Sequence, residues 1–342
     1  MPKAHAGGDS RRVTVDDVAR DAGVSQATVS QVLSGKRPVS AATRARVMAS
    51  IAELGFRPNQ LARALRQQKS HTVAIVVPNI AHVVYPMVAR GVSELLRPLG
   101  YQAALYDTDH SPSTETQVLR TVADRMVDGA IVFGFPVKQS DAEILSSVGI
   151  PFVNGGLDES LDTQWDSVRV DQVAAISSLV EHVAALGRSP IAYIGGPTDE
   201  GSASARETGF RVGMAAARQP IDPALLTSSP YSWEGGRAAL DRMLSDGHAP
   251  RSVICANDMI AIGAMTAARD HGLRIPEDIA ITGYDNIDAA VMSLPPLTTV
   301  EAHPFEQGRE CARLLLDRMT GDYGGRARHV MLPAKLLLRE SA

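Results

Sequence analysis

Apolar residues in the first sixty positions recur at helical spacing in three short blocks. Val15, Val18, Ala19 and Ala22 form one stripe, with Thr14 placed to cap it and Asp17 three residues on to complete a capping-box-like pair. Gly23 stops that block. Ser25 caps a second block whose Val29, Val32 and Leu33 face inward, leaving Gln26, Ala27 and Gln31 outward. A third begins at Ser40 after Pro38, turns Val47, Ile51 and Leu54 toward the same small core, and ends at Gly55. Two short helices joined by a tight turn have the spacing that lays the second helix into the major groove of DNA. The competing reading of this segment is a three-helix lid without a partner.

Beyond Ser70 the period changes. Apolar runs at Val73–Val77, Ala103–Tyr106, Ala130–Phe133 and Pro151–Val153 alternate with amphipathic stretches over Met87–Leu99, Glu115–Val127 and Asp141–Val148. That βαβ rhythm predicts a parallel sheet covered on both faces. After Val168–Asp171 it restarts, with helices predicted over Val173–Leu186, Arg206–Ala217 and Met259–His271 and strands over Ile191–Gly195, Val253–Ala256 and Ile279–Gly283. The expected architecture is an all-α helix-turn-helix headpiece followed by an α/β core of two doubly wound parallel-sheet lobes with a cleft between them.

Charge sharpens the first half of this picture. Residues 1–70 hold twelve Lys or Arg against five Asp or Glu, a balance of +7, while the whole chain is −4, which leaves −11 for the remainder. A basic module on an acidic body concentrates phosphate contacts at one end and keeps DNA off the rest. Arg11, Arg12, Arg44, Arg46, Arg57, Arg63 and Arg66 are the candidate backbone contacts; any one of them alone reads equally as a solvated surface charge.

The 342 residues, 44% of them hydrophobic, suffice for more than one core. Cys255 and Cys311 lie in apolar segments without metal-ligand spacing, and the nine histidines do not cluster, so no metal or cofactor is expected. No stretch reaches the length of a membrane span and Met1–Arg12 has no apolar targeting segment, which points to the cytoplasm.

In doubly wound sheets ligands sit beyond the carboxyl ends of the strands. The polar residues that follow the apolar runs are Asn79, Asp107, Asn154, Asn257, Asp258, Asp285 and Asn286. Each alone also reads as a turn or cap residue, Asp258 above all as a helix cap. Together they suit a polyhydroxylated ligand. No nucleophile elbow, phosphate loop or His-Glu-x-x-His sequence occurs, and Gly195-Gly196-Pro197 lacks the dinucleotide glycine pattern. An enzyme or a plain binding protein on the same fold, and an architectural DNA-binding protein, are the alternatives.

Val13-Thr14-Val15-x-Asp17-Val18-Ala19, Ala22-Gly23-Val24-Ser25-x-Ala27-Thr28-Val29-Ser30-x-Val32-Leu33-x-Gly35 and Leu54-Gly55-Phe56-x-Pro58-Asn59-x-x-Ala62-Arg63-x-Leu65 resemble the LacI/GalR family of bacterial repressors. The resemblance continues through Val127-Asp128-Gly129, Ile194-Gly195-Gly196-Pro197, Arg206-x-x-Gly209-Phe210, Ala256-Asn257-Asp258, Gly283-Tyr284-Asp285, Pro296-Leu297-Thr298-Thr299-Val300 and Leu338-Arg339-Glu340-Ser341. It implies a homodimer on a palindromic double-stranded operator, with a periplasmic-binding-protein-like core that takes a small-molecule effector, first a sugar, with a nucleoside or another small metabolite as the alternatives. The organisation implied is a tail over 1–12, a headpiece over 13–57, a hinge helix and linker over 58–70, and a core over 71–342. Within that core the N-lobe takes about 71–170 and 302–329 and the C-lobe about 171–301 and 330–342.

Carried over residue by residue, the resemblance implies DNA contacts from Thr14, Ser25, Gln26, Ala27, Thr28, Ser30, Gln31, Asn59, Ala62, Arg63, Leu65 and Arg66, with Leu65 as a minor-groove wedge. It places the effector against His82, Tyr85, Arg206, Tyr231, Asn257 and Asp285, to which the reading of strand ends adds Asp107 as an effector contact. This chain departs from the family at His82-Val83-Val84-Tyr85, where Asn-Pro-Phe-Phe is usual. It departs again at Asn154-Gly155-Gly156-Leu157, where a basic residue is common, and at Gln31, where arginine is common.

Overall fold

The computed structural model describes residues 13–34, 37–56, 69–109, 111–133, 144, 147–156, 165–198 and 201–342. The chain divides into two compact units at Lys69/Ser70. The expected tail, the hinge over 58–67 with Asn59, Ala62, Arg63, Leu65 and Arg66, and most of the helix expected over 141–148 lie outside the described residues.

The first unit contains α1 (Val15–Asp21), α2 (Gln26–Ser34) and α3 (Ala41–Glu53). Thr14 and Asp17 close a capping box on α1, and Ser40 caps α3. Gly23 and Gly55 leave their helices at φ +61° and +62°, a conformation a side chain disfavours. Val18, Ala19, Val29, Val32, Val47 and Phe56 form its buried core, with Val15, Leu33, Ile51 and Leu54 packed against it. The inward stripes therefore fall where the periodicity put them.

In the second unit, the strands of the first sheet are β1 (Thr72–Val77), β2 (Gln102–Asp107), β3 (Gly129–Val132), β4 (Phe152–Asn154), β5 (Asp166–Val170) and β11 (His329–Leu332). They stand in the order β11-β5-β4-β3-β1-β2, every pairing parallel. Val73, Ile75 and Val77 meet the helices Val84–Leu96 and Pro304–Thr320 on one face. Ala74 and Val76 meet Leu119 and Val122 on the other. β1 is thus buried on both sides, which is why it reads as a continuous apolar run.

The second sheet runs β7-β6-β8-β9, again parallel, from β6 (Ile191–Gly195), β7 (Leu226–Ser228), β8 (Ser252–Cys255) and β9 (Ala280–Thr282). The helices Gln172–Ala185, Gly201–Ala216, Trp233–Ser245 and Asp258–Asp270 alternate with these strands. A two-stranded antiparallel ribbon, β10 (Thr299–Glu301) with β12 (Lys335–Leu337), completes this lobe. Hence the unit has an N-lobe and a C-lobe, each with its own sheet.

Three details correct the expectations. The lobe boundary expected at 329/330 falls inside β11, because β5 offers an edge that residues 329–332 fill; the return to the C-lobe follows Leu332. The helices Trp233–Ser245 and Pro304–Thr320 interrupt stretches that carried no helical prediction. The helix expected over 115–127 begins at Pro112, capped by Ser111, and ends in a π turn over Val122–Met126.

Candidate functional site

On the headpiece, α2 presents Gln26 and Ala27 to solvent, with Thr28, Ser30 and Gln31 partly exposed beside them. Ser25 Oγ accepts the Thr28 amide at 3.2 Å and lies 2.9 Å from Thr28 Oγ1, so its hydroxyl starts the helix. The Gln26 amide nitrogen donates to Asp16 of α1, a partner the sequence reading did not anticipate. Thr14 is exposed, and both its amide and its hydroxyl donate to Asp17. The outward row is therefore carried on a short helix and is mostly polar, with methyl groups only at Ala27 and Thr28.

In the core, the carboxyl ends of the C-lobe strands bring Arg206, Tyr231, Asn257 and Asp285 together. Arg206 lies on the helix after β6 and is only 7% exposed. Its Nε donates to Gln172 Oε1 at 2.7 Å, its Nη1 to the Ala256 carbonyl at 2.6 Å, and its Nη2 stands 3.5 Å from Asp285 Oδ1. Its guanidinium carbon sits 4.0 Å from the Tyr284 ring centre and 5.8 Å from that of Tyr231. Gln172 and Tyr284 join the site only in the fold; a glutamine at a helix start and a tyrosine inside an apolar run carry no distinctive sequence signal.

Asp285 follows β9 and is 6% exposed, with φ +113°, strained for a residue with a side chain. Its Oδ2 is buried without a hydrogen-bond partner among the described residues, as are the Tyr193 and Tyr284 hydroxyls. Burial pushes the Asp285 carboxyl up to about 6, although the Arg206 charge pulls it down. One carboxylate oxygen thus faces a cation and the other is left to accept from something else, which buried polar atoms normally do.

Asp258 does not cap its helix. Asn257 does, its Oδ1 accepting the Ile260 amide at 2.9 Å. The Asp258 carboxylate instead takes the Thr299 hydroxyl at 2.5 Å and the Ile287 amide at 2.9 Å, tying the loop after β9 to β10. Burial, then the Asp285 charge, raise its carboxyl to about 8. Arg339 adds a strap, donating to Asn286 Oδ1 at 2.6 Å and to the Leu297 carbonyl at 2.7 Å. The closing motif therefore holds the Asp285 loop from behind.

The N-lobe contributes rings. His82 and Tyr85 lie 5.7 Å apart, Tyr85 meets the edge of Phe133 at 5.9 Å, and His82 meets Tyr231 edge-on at 5.6 Å. A Cβ at Gly155 would fall 2.2 Å from the Phe133 ring, so the Phe133 ring fills the space beside this glycine. Asp107 does not join this group in the contacts it makes: it is exposed and accepts the Asp109 amide at 3.0 Å, a turn role shared by Asn79 and Asn154. Among the described residues, no group of three or more His, Cys, Asp or Glu could hold a metal, and no helix is long and apolar enough to cross a membrane.

Residues 14–59 match the family model of bacterial regulatory proteins, lacI family, and residues 180–342 that of a periplasmic binding protein-like domain. The pairing defines a helix-turn-helix transcriptional regulator with a ligand-binding core. The chain is 30% identical over 330 residues to catabolite control protein A of Priestia megaterium, covering 96% of this chain and 99% of that protein. Among solved structures it resembles a lac repressor dimer bound to operator and the anti-inducer ONPF, with TM-score 0.87, 27% identity and 97% and 99% of the two chains covered. A complex of the regulator CelR with cellobiose matches at TM-score 0.74 and 31% identity, covering 97% and 100%. The protein belongs to the LacI family of bacterial regulators.

Proposed function

We propose that this chain is a dimeric, non-enzymatic repressor acting in the cytoplasm, holding a palindromic operator through paired headpieces and hinges and controlled by a sugar bound between the lobes. The observation that carries the effector half is the buried Arg206–Asp285 pair with Asp285 Oδ2 left over. A sugar hydroxyl donates to that oxygen, the Arg206 cation polarises its partner, and Tyr231 supplies a flat face. Cellobiose in the CelR complex supports the ligand class. The aromatic row Phe133, Tyr85, His82 and Tyr231 supports a second reading, a nucleoside whose base would stack on one of these rings.

The dimer reading draws on exposed apolar residues. Met292 and Leu294 are each 76% exposed on the C-lobe, and Val83 and Met87 are exposed on the N-lobe. A second copy would cover such residues, and the lac repressor structure, described as a dimer on operator, supports it. Direct readout falls to Gln26, Ala27 and Gln31, phosphate contacts to Thr14, Ser25, Thr28, Ser30, Asn59, Arg63 and Arg66, and close hinge approach with wedge insertion to Ala62 and Leu65.

Thermal-shift titration with a panel of sugars and nucleosides tests the pocket. A compound that stabilises the wild type and neither Arg206→Ala nor Asp285→Ala supports the assignment; equal response from both variants refutes it.

A further inference from the structure

The stretch His82-Val83-Val84-Tyr85, where this chain departs from its family, places a titratable ring opposite the cap of a C-lobe helix. His82 lies in the loop between β1 and the helix Val84–Leu96, in the N-lobe; Asn257 opens the helix Asp258–Asp270, in the C-lobe. The Asn257 Nδ2 and His82 Nε2 atoms are 3.4 Å apart. The direction of this bond follows from the cap. Asn257 Oδ1 is fixed on the Ile260 amide, so the nitrogen of the same side chain must face His82, and an amide nitrogen only donates. The imidazole Nε2 is therefore the acceptor.

We propose that His82 and Asn257 form an interlobe clasp, in which a single amide both caps a C-lobe helix and holds the N-lobe loop against it. The T-shaped contact of the His82 and Tyr231 rings, 5.6 Å between centres, sets the clasp beside a second contact between the two lobes. Closure of the lobes is thereby coupled to the order of the first turn of the helix Asp258–Asp270, whose next residue, Asp258, ties down the Asp285 loop. His82 is a positioning residue: it sets how far the lobes stand apart. A net hydrogen bond of this kind biases the open-to-closed ratio by roughly two- to tenfold.

The clasp rests on the effector-site reading for its purpose only, and its test needs no effector. Cys255 and Cys311 are buried, so spin labels attach selectively to Gln102→Cys in the N-lobe and Asp246→Cys in the C-lobe, both exposed positions. Pulsed electron resonance on labelled full-length chain diluted into unlabelled chain gives the lobe separation. His82→Phe keeps a ring without an acceptor, His82→Gln keeps an acceptor, and Asn257→Ser keeps a cap without reach. The expected result is a two- to tenfold shift toward longer separations in His82→Phe and in Asn257→Ser. His82→Gln stays near the wild type, and the double variant His82→Phe/Asn257→Ser moves no further than either single one. Unchanged separations in both single variants, additive shifts, or a His82→Gln distribution as open as His82→Phe would overturn the clasp.

Discussion

Asp285→Asn isolates the charge of one buried oxygen. Asparagine preserves the shape and keeps an acceptor available toward Arg206, but replaces the second carboxylate oxygen with an NH2 donor and removes the charge. A ligand hydroxyl that donates to Oδ2 loses a charge-assisted hydrogen bond of about 1.5–3 kcal/mol, or roughly 10- to 150-fold in Kd. The pH profile adds a second, sign-specific signature. With the carboxyl raised to about 6, the acceptor is charged above that value, so wild-type affinity holds at pH 7–8 and falls as pH drops through 6. Folding carries the opposite sign: a raised carboxyl contributes stability that is present below its unfolded value of about 3.9 and lost as pH rises through the folded value. In Asp285→Asn both slopes disappear. Isothermal titration between pH 5 and 8, with melting curves alongside, measures them. A folded variant with wild-type Kd and an unchanged pH profile would refute the role given to this oxygen.

Other perturbations probe other joints. Asp166 is buried and accepts from Arg318 Nε and Nη2 at 3.1 and 2.7 Å and from the Arg328 amide, Nε and Nη2 at 2.8, 3.2 and 2.7 Å. Asp166→Ala should cost about 3–5 kcal/mol, roughly 6–20 °C in melting temperature, because two arginines lose their common partner. Burial alone would raise this carboxyl, but the arginine hydrogen bonds hold it low, so its stabilisation persists above the unfolded value and fades as pH falls through the folded one. Gly196→Ala puts a Cβ 2.2 Å from Tyr231 Cζ; displacing that ring by overpacking costs about 1–3 kcal/mol, read as weaker effector binding in the same titration. On DNA, Gln26→Ala or Gln31→Ala should change base preference in a binding selection, whereas Leu65→Ala should lower affinity and bending in an electrophoretic bend assay.

Legibility differed by segment for physical reasons. The headpiece was readable because its stripes are short, capped by Thr14, Ser25 and Ser40, and ended by glycines at positive φ. The strands were readable because β1, β3 and β8 are buried on both faces and consist of apolar runs. The helix Trp233–Ser245 is hidden in the sequence because Gly235 and Gly236 lower helical propensity. A Cβ at Gly236 would fall 2.0 Å from the Ile260 carbonyl, so packing against the next helix requires the glycine that hides it. Arg206 and Asp285 were visible as motif positions, but Gln172, Tyr284 and Phe133 became site residues only through tertiary proximity. Asp258 shows the reverse failure, since an acid at a helix start reads as a cap while the true cap stands one residue earlier.

If one ligand in the core controls one palindrome at the headpiece, selection of bound DNA from a random pool by the purified full-length chain, repeated with each sugar and nucleoside of the panel, will yield a single palindromic motif. Its enrichment will change with one compound and its affinity will fall steeply with salt. No enriched motif under any condition, or a motif that no compound alters, would contradict that control.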